Sequence, residues 1–257
     1  MEKNAKIFYE PAKAKYVYRL AAFLIDIIIF VILLTGVLFV LSKITNFDTH
    51  YNNLHQQYQT IGYEIYDEEN DKYNIISSDD PNYDYVMELY QTDKVIEQEE
   101  GYINSYVLNA PLIAIAFCML ILEFIVPLIL KKGRTIGMLI FHIGLISTSL
   151  IKVKSQQLFA GAFIGKVVIF GMVPYICLFN SFFRVGGGLG TTIFLILLLA
   201  TNLVLILFTN NHNSIADKIA SLYPVDDNQT IYFNDLEELN QAKKDLKHEQ
   251  ESQKKVY

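Results

Sequence analysis

Four runs of apolar residues, about Val17–Leu41, Tyr106–Leu130, Leu158–Asn180 and Leu189–Thr209, interrupt an otherwise polar chain. Each is about 20 residues or longer, and a helix of that length covers the roughly 30 Å hydrocarbon core of a bilayer. Within lipid the backbone must satisfy its own hydrogen bonds, so the pattern predicts an all-α polytopic membrane protein with four transmembrane helices. Pro127 and Pro174 lie inside the second and third runs and predict kinks near their ends. The first run is too long for a signal peptide, and no small-residue cleavage site follows Leu41.

The stretches between the runs carry weaker patterns. Gly62–Ile76 alternates on either side of the polar turn Asp67–Asp71, as a hairpin does, and Tyr83–Glu100 reads as an acidic helix leading into the second span. Gly133–Leu145 has apolar residues at helical spacing but too few to cross again, which predicts an interfacial helix. In Asn213–Leu222, Ser214 and Asp217 match the S-x-x-D capping box of a helix start. Beyond Pro224 the chain is charged, and Asn234 is placed to cap a helix through about Gln250 with a narrow Leu236/Leu239/Leu246 stripe. A solvated tail helix is favoured there over a partner-binding one. The domains expected are 1–42 (N-terminus and first span), 43–105 (outer loop), 106–225 (remaining spans with interfacial helices) and 226–257 (charged tail).

Charge distribution fixes the class more firmly than composition does. The 257 residues carry 21 Lys+Arg and 27 Asp+Glu, but fourteen of the acids fall between Asp48 and Glu100. Asp26 and Glu123 are the sole acids of their apolar runs, a pattern foreign to an ordinary soluble enzyme. Basic residues Lys3, Lys6, Lys13, Lys15 and Arg19 precede the first span, and Lys131, Lys132, Arg134, Lys152 and Lys154 lie between the second and third. Ser42–Ser105 holds three basic residues against fourteen acids, a net of −11. The positive-inside rule then places both termini and 131–157 in the cytoplasm and the acidic loop outside, a multi-pass protein of the cell membrane.

Asp26, Glu123 and Lys166 are the informative side chains, because a charge in hydrocarbon costs at least about 2.5–3.5 kcal/mol. Counted from the span ends, all three and Asn202 lie roughly 10–12 Å from the cytoplasmic interface at about 1.5 Å per residue. They are expected to form one polar layer and satisfy one another. Asp26, Glu123 and Lys166 sum to −1, which leaves three outcomes: a protonated carboxyl, a bound cation, or Arg19 reaching in from the same face of the first helix. The layer serves either as a structural lock or as a proton or cation relay. Gly161 and Gly165 form a small-xxx-small pair beside Lys166, which lets a neighbouring backbone approach.

The order of these residues resembles the RDD family of small integral membrane proteins, named for one arginine and two aspartates. Arg19-Leu-Ala-Ala-Phe-Leu-Ile-Asp26 is similar to the family's opening Arg and intramembrane Asp, and Gly133-Arg-Thr-Ile-Gly137 to its G-x-T-x-G element. Lys166 falls where members often carry a basic residue, and Asn213-Ser-Ile-Ala-Asp217-Lys-Ile-Ala220 is similar to the closing segment with the second Asp. The resemblance covers about 12–42 and 106–225. The chain departs from it at Ala216, where members usually have histidine, at Met138-Leu139 in place of a basic pair, and at Asn211-His212-Asn213 in place of a basic cluster. The family has no settled biochemical activity; the resemblance implies, by analogy, the cation/proton antiport proposed for some members. Asp217 is open to three readings: helix cap, functional carboxylate, or interfacial ion-pair partner of Arg134 or Arg19.

Other signals do not assemble into chemistry. Asp80–Asp84 begins like a calcium loop but lacks the Gly and Glu that such a loop needs. Asp48, His50 and His55 lack metal-ligand spacing, Gly186–Gly188 with Gly190 is a turn and not a phosphate cradle, and His142 suits the headgroup level. Cys118 and Cys177 read as packing residues, not as a bridge. With no nucleophile elbow and no HExxH, the reading is non-enzymatic, with no cofactor and no metal. The partners expected are the lipid bilayer, anionic headgroups at the cytoplasmic face, a protein held through 43–105 or 229–257, and a second copy in a homo-oligomer; nucleic acid is not among them.

Overall fold

The computed structural model describes residues 11–67, 72–183, 188–208 and 213–254, with the side chains of 188, 246, 247 and 249–254 left aside. Lys3, Lys6, the hairpin turn at 68–71, Gly186, Gly187, Thr209, Asn211 and His212, and the side chain of Leu246, therefore lie outside the described residues. Four helices are long and apolar enough to cross a membrane: α1 (Tyr16–Ile44), α4 (Lys94–Leu130), α6 (Ser155–Phe182) and α7 (Gly188–Phe208). They contain the four expected spans as far as these are described. Ile32, Ile129, Phe182 and Phe208 are each more than two-thirds exposed, an arrangement that water would penalise and lipid does not.

The two prolines expected to kink the spans follow segments of π-helical geometry. Ile121–Ile125 in α4 immediately precedes the short α-segment carrying Pro127, and Gly161–Met172 in α6 precedes the one carrying Pro174. Proline has no N–H and its ring crowds the carbonyl four residues back, so the wider turn is where the helix absorbs the missing bond.

Two compact units divide the chain, 35–114 and the combination of 1–34 with 115–257, their limits falling within α1 and α4 and not at the span ends. In the first, α2 (Phe47–Thr60) follows α1, and the expected hairpin pairs β1 (Glu64–Asp67) with β2 (Lys72–Ile75) in antiparallel register. The acidic helix expected at Tyr83–Glu100 is two helices, α3 (Tyr83–Thr92) and the start of α4, because Asp93 is extended and its Oδ1 accepts the Val95 and Ile96 N–H groups at 2.7 and 3.1 Å. Leu54, Ile76, Val86 and Ile96 are buried in it, with Ala110 and Ala114 buried on α4.

The second unit adds a two-stranded sheet to its long helices, so the chain is mostly helical and not purely all-α. After α5 (Ile136–Ile140) the chain turns at His142, whose φ is 53°, into β3 (Ile143–Ser147). β3 pairs antiparallel with β4 (Leu222–Asp226), which follows α8 (Ile215–Ile219). The interfacial helix expected over Gly133–Leu145 is thus one short helix and a strand; the β-branched Ile143 and Ile146 suit the ladder once a partner is present. Leu145 donates its N–H to Lys132 O at 3.0 Å, so its register partner Pro224 loses no ladder bond there. All five β3 residues are buried, and Leu145, Leu158, Ala220 and Leu222 form one apolar cluster. The tail helix α9 (Leu236–Lys254) is capped by Asp235, one residue after the expected Asn234, through a 2.8 Å bond from Glu238 N. Leu239 is buried against Ile151 and Phe233, with Ala242 packed beside them, so the start of that helix is docked. Cys118 and Cys177 are free and buried.

Candidate functional site

One face of α1 presents Arg19, Ala22 and Asp26 at helical spacing, and the two short helices α5 and α8 meet it. Ala22 is buried, and its backbone lies so close to Gly137 that a Cβ there would stand 2.8 Å from Ala22 C and nearer still to its O. Only glycine permits that approach. It brings the Gly137 N–H to Asp26 Oδ1 at 2.8 Å, while Thr135 Oγ1 donates to Asp26 Oδ2 at 2.5 Å. Thr135 is itself the N-cap of α5, accepting from Met138 N at 3.2 Å. Asp26 therefore supplies an acceptor to a first-turn amide that would otherwise be orphaned.

Arg19 reaches the second short helix. Its Nη2 donates to Asp217 Oδ2 at 3.0 Å, with the two side chains only 12% and 10% exposed. The same oxygen accepts the Ser214 N–H at 2.9 Å, and Ser214 Oγ accepts the Asp217 N–H at 3.1 Å. Cap and ion pair, two of the open readings for Asp217, are both made at once. α8 packs on α6 through small residues: a Cβ on Gly165 would lie 2.6 Å from Ala216 Cα, and one on Gly161 2.9 Å from Ala220 Cβ. Ala216, where the family usually carries histidine, is buried in that contact, which has no room for an imidazole.

Lys166 and Glu123 form an ion pair between α6 and α4, each within its helix's π segment, where the displaced backbone re-aims side chains. Asn202 of α7 lies elsewhere in the bonding: its Oδ1 accepts the Ile215 N–H at 3.0 Å. The expected layer of Asp26, Glu123, Lys166 and Asn202 satisfying one another is thus replaced by one direct pair. Asp26 and Asn202 serve the short helices α5 and α8 instead, because first-turn amides compete for acceptors there. Arg134, the other proposed partner of Asp217, pairs with Asp227 at 2.7 Å, and Lys132 pairs with the same carboxylate at 2.7 Å. Burial alone raises the Asp227 pKa, but the Lys132 bond and the charges of Lys132 and Arg134 outweigh it and hold the carboxyl below its ordinary value.

Glu123, Lys166, Thr135 and Asp217 line a cavity of about 20 Å³ whose remaining wall is mostly apolar. Thr135 enters the sequence reading only as the threonine of Gly133-Arg-Thr-Ile-Gly137, with no role assigned to it, and Gln157 does not enter it. The first carries a usable signal, a threonine directly before a short apolar run; the second, which donates to Ala220 O at 3.3 Å and Ser147 Oγ at 3.1 Å, carries none. Among the described residues no group of three or more His, Cys, Asp or Glu is placed to hold a metal ion.

The profile of the RDD family matches residues 13–221, from before Arg19 to just past α8. The chain belongs to the RDD family. Neither a curated protein nor a solved structure matches it. The RDD match encloses the four long apolar helices and the short helices α5 and α8, and leaves β4 and the tail outside. Membership together with four helices of this length and apolarity makes this RDD protein a multi-pass membrane protein.

Proposed function

We propose that this RDD protein is a non-enzymatic protein of the cell membrane that passes a proton or small cation through its polar cluster. Both termini face the cytoplasm and the acidic loop faces outward, as the basic residues flanking α1 and those from Lys131 to Lys154 direct. The observation that carries the transport reading is the charge balance. Arg19, Asp26, Glu123, Lys166 and Asp217 sum to −1 when ionised; Arg19 bonds Asp217 and Lys166 bonds Glu123, while Asp26 accepts from neutral donors. A sheltered excess carboxylate is a place for an exchangeable proton or cation. Cation-driven pH change in vesicles holding the purified chain is expected to vanish with Asp26→Asn or Glu123→Gln while the protein still folds. Unchanged flux in both variants eliminates the reading.

A second reading has an observation of its own. Asp26, Asp217 and Asn202 each accept a backbone N–H of α5, α8 or its cap, as a purely structural clamp requires. On that reading the protein is a scaffold that holds a partner through its outer loop or tail, with anionic headgroups at the basic face and a homo-oligomer as further associations. Replacing residues 50–100 with a short linker, or deleting 243–257, then removes a co-purifying partner; a complex that survives both changes counts against it.

A further inference from the structure

The two short helices and the strands that follow them are copies of one design. Thr135 and Ser214 cap α5 and α8 alike, accepting from Met138 N at 3.2 Å and Asp217 N at 3.1 Å. His142 and Ser221 then turn the chain with the same φ of 53° into β3 and β4. Asp227 donates its N–H to His142 O at 2.8 Å, and Thr148 donates to Ser221 O at 2.9 Å. The match extends to the starts of the spans. Lys13 bridges Val225 before α1 as Lys152 bridges Ile146 before α6, and the Asp226 and Ser147 N–H groups reach Ala12 O and Ile151 O at 2.8 and 3.0 Å. Ala14, Phe141 and Ile143 cluster as Val153, Ala220 and Leu222 do. These pairs exchange under a two-fold axis that passes between Leu145 and Pro224, which face each other at the centre of the ladder. The side chains at equivalent places differ, Arg19 against Leu158 and Asp26 against Gly165, so the sequence conceals the repeat.

We infer that transport turns one half, 12–34 with 115–147, against the other, 151–226, about the β3–β4 ladder, with Glu123–Lys166 as the latch between them. This rests on the transport reading above and supplies its moving parts. Within each half, small residues bring backbones together: Gly137 lies on Ala22, and Gly165 on Ala216. Between the halves the spans meet through side chains. Glu123 pairs with Lys166, the Phe124 and Phe159 rings stand edge to face with centroids 5.3 Å apart, and Gly171 faces the side chains of Ile115 and Met119. Side chains repack when packed helices shift, whereas close backbone contacts hold. The ladder joins both halves through backbone bonds, so that end stays closed and α4 parts from α6. Asp26 remains with the first half through Thr135 and Gly137. Parting takes Lys166 from Glu123 and leaves a sheltered carboxylate, which a proton or cation satisfies. The carried species therefore favours the parted form and the empty site the closed one, the differential affinity that a conformational cycle needs. Transporters built from repeats hold their ions where the repeats meet, as the Glu123–Lys166 pair does.

The test uses the full chain with Cys118→Ala and Cys177→Ala, so that introduced thiols react alone. Phe124→Cys with Phe159→Cys, joined by a short bis-methanethiosulfonate, ties the halves together and is expected to abolish cation-driven pH change in vesicles, reduction with dithiothreitol restoring it. Ser181→Cys with Thr192→Cys joins α6 to α7 within the second half, where the hydroxyl oxygens lie 2.7 Å apart, and is expected to leave that flux unchanged when oxidised. Full flux with the halves tied, or equal loss from both links, overturns the inference. A second measurement needs no flux. Spin labels at Phe117→Cys and Phe182→Cys report between the halves, and labels at Phe182→Cys and Leu203→Cys within the second. Lys166→Met with Glu123→Gln removes the latch without leaving a lone charge, and is expected to lengthen and broaden the first distance and leave the second as it was. An unchanged first distance overturns the inference. Lengthening without flux in any form contradicts the transport reading and leaves the movement of the halves standing.

Discussion

Gly137→Ala is the sharpest perturbation of the α1–α5 contact, because it adds one methyl group and removes no polar atom. The new Cβ would lie 2.8 Å from Ala22 C and 3.0 Å from Ala22 Cα, far inside van der Waals contact, and both neighbours are backbone. α5 must therefore move away from α1, which costs about 1–3 kcal/mol as overpacking. That movement stretches the 2.8 Å bond from Gly137 N to Asp26, a hydrogen bond to a charged group worth about 1.5–3 kcal/mol. Together the loss is about 3–6 kcal/mol. At roughly 2–4 °C per kcal/mol for a chain of this size, the apparent Tm in detergent is expected to fall on the order of 6–24 °C at fixed scan rate. Gly36→Ala is the control: nothing lies within 4 Å of its Cβ position, and alanine is the better helix former, so its Tm should equal or slightly exceed wild type. A Gly137→Ala protein melting within about 2 °C of wild type refutes the close approach of α1 and α5.

Further expectations follow from the same geometry. Gly165→Ala should destabilise through the 2.6 Å approach to Ala216, and adding Ala216→Gly, which removes the Cβ at 2.6 Å but keeps the Cα at 2.6 Å, should recover only part of that loss in a melting assay. Lys166→Met alone leaves Glu123 sheltered and uncompensated and should cost about 3–5 kcal/mol. The double variant with Glu123→Gln should cost much less; equal losses in single and double variants would show that the pair is not formed. Asp227, whose folded pKa lies below its ordinary value of about 3.9, stabilises the fold above that pH, a contribution lost as pH falls through the folded value. Asp227→Asn should thus lower the Tm at pH 7 by the equivalent of about 1–3 kcal/mol and flatten the acid limb of a Tm–pH profile. A wild-type acid limb in the variant counts against the Lys132–Asp227–Arg134 cluster.

Much of the architecture was legible because lipid imposes so plain a pattern. Four apolar runs yield four helices, the alternation at Gly62–Ile76 yields the β1–β2 hairpin, and Ser214-x-x-Asp217 yields a working capping box. Arg19, Asp26, Glu123, Lys166 and Asp217 were recognisable as the residues that matter, since a charge at that depth needs a reason to be there. Their partners were not. The β3–β4 ladder joins segments about 80 residues apart, so nothing local distinguishes Ile143–Ser147 from the end of a helix. Depth along a helix axis put Asp26, Glu123, Lys166 and Asn202 at one height but gave no azimuth. It also took no account of the orphan amides of α5 and α8, which claim Asp26 and Asn202. The break at Asp93 shows the converse, a single aspartate that ends one helix and starts the next through bonds available only once the chain has turned.

The account turns on Asp26 facing inward to the first turn of α5 and not outward to acyl chains. Rotational-echo solid-state NMR of the full chain in bilayers, with ¹³C in the aspartate carboxyls and ¹⁵N in the glycine amides, measures this directly. The 2.8 Å Oδ1–N contact predicts strong dephasing between the Asp26 carboxyl carbon and the Gly137 nitrogen, lost in Asp26→Asn. Dephasing that is absent from wild type, or the same in the variant, contradicts it.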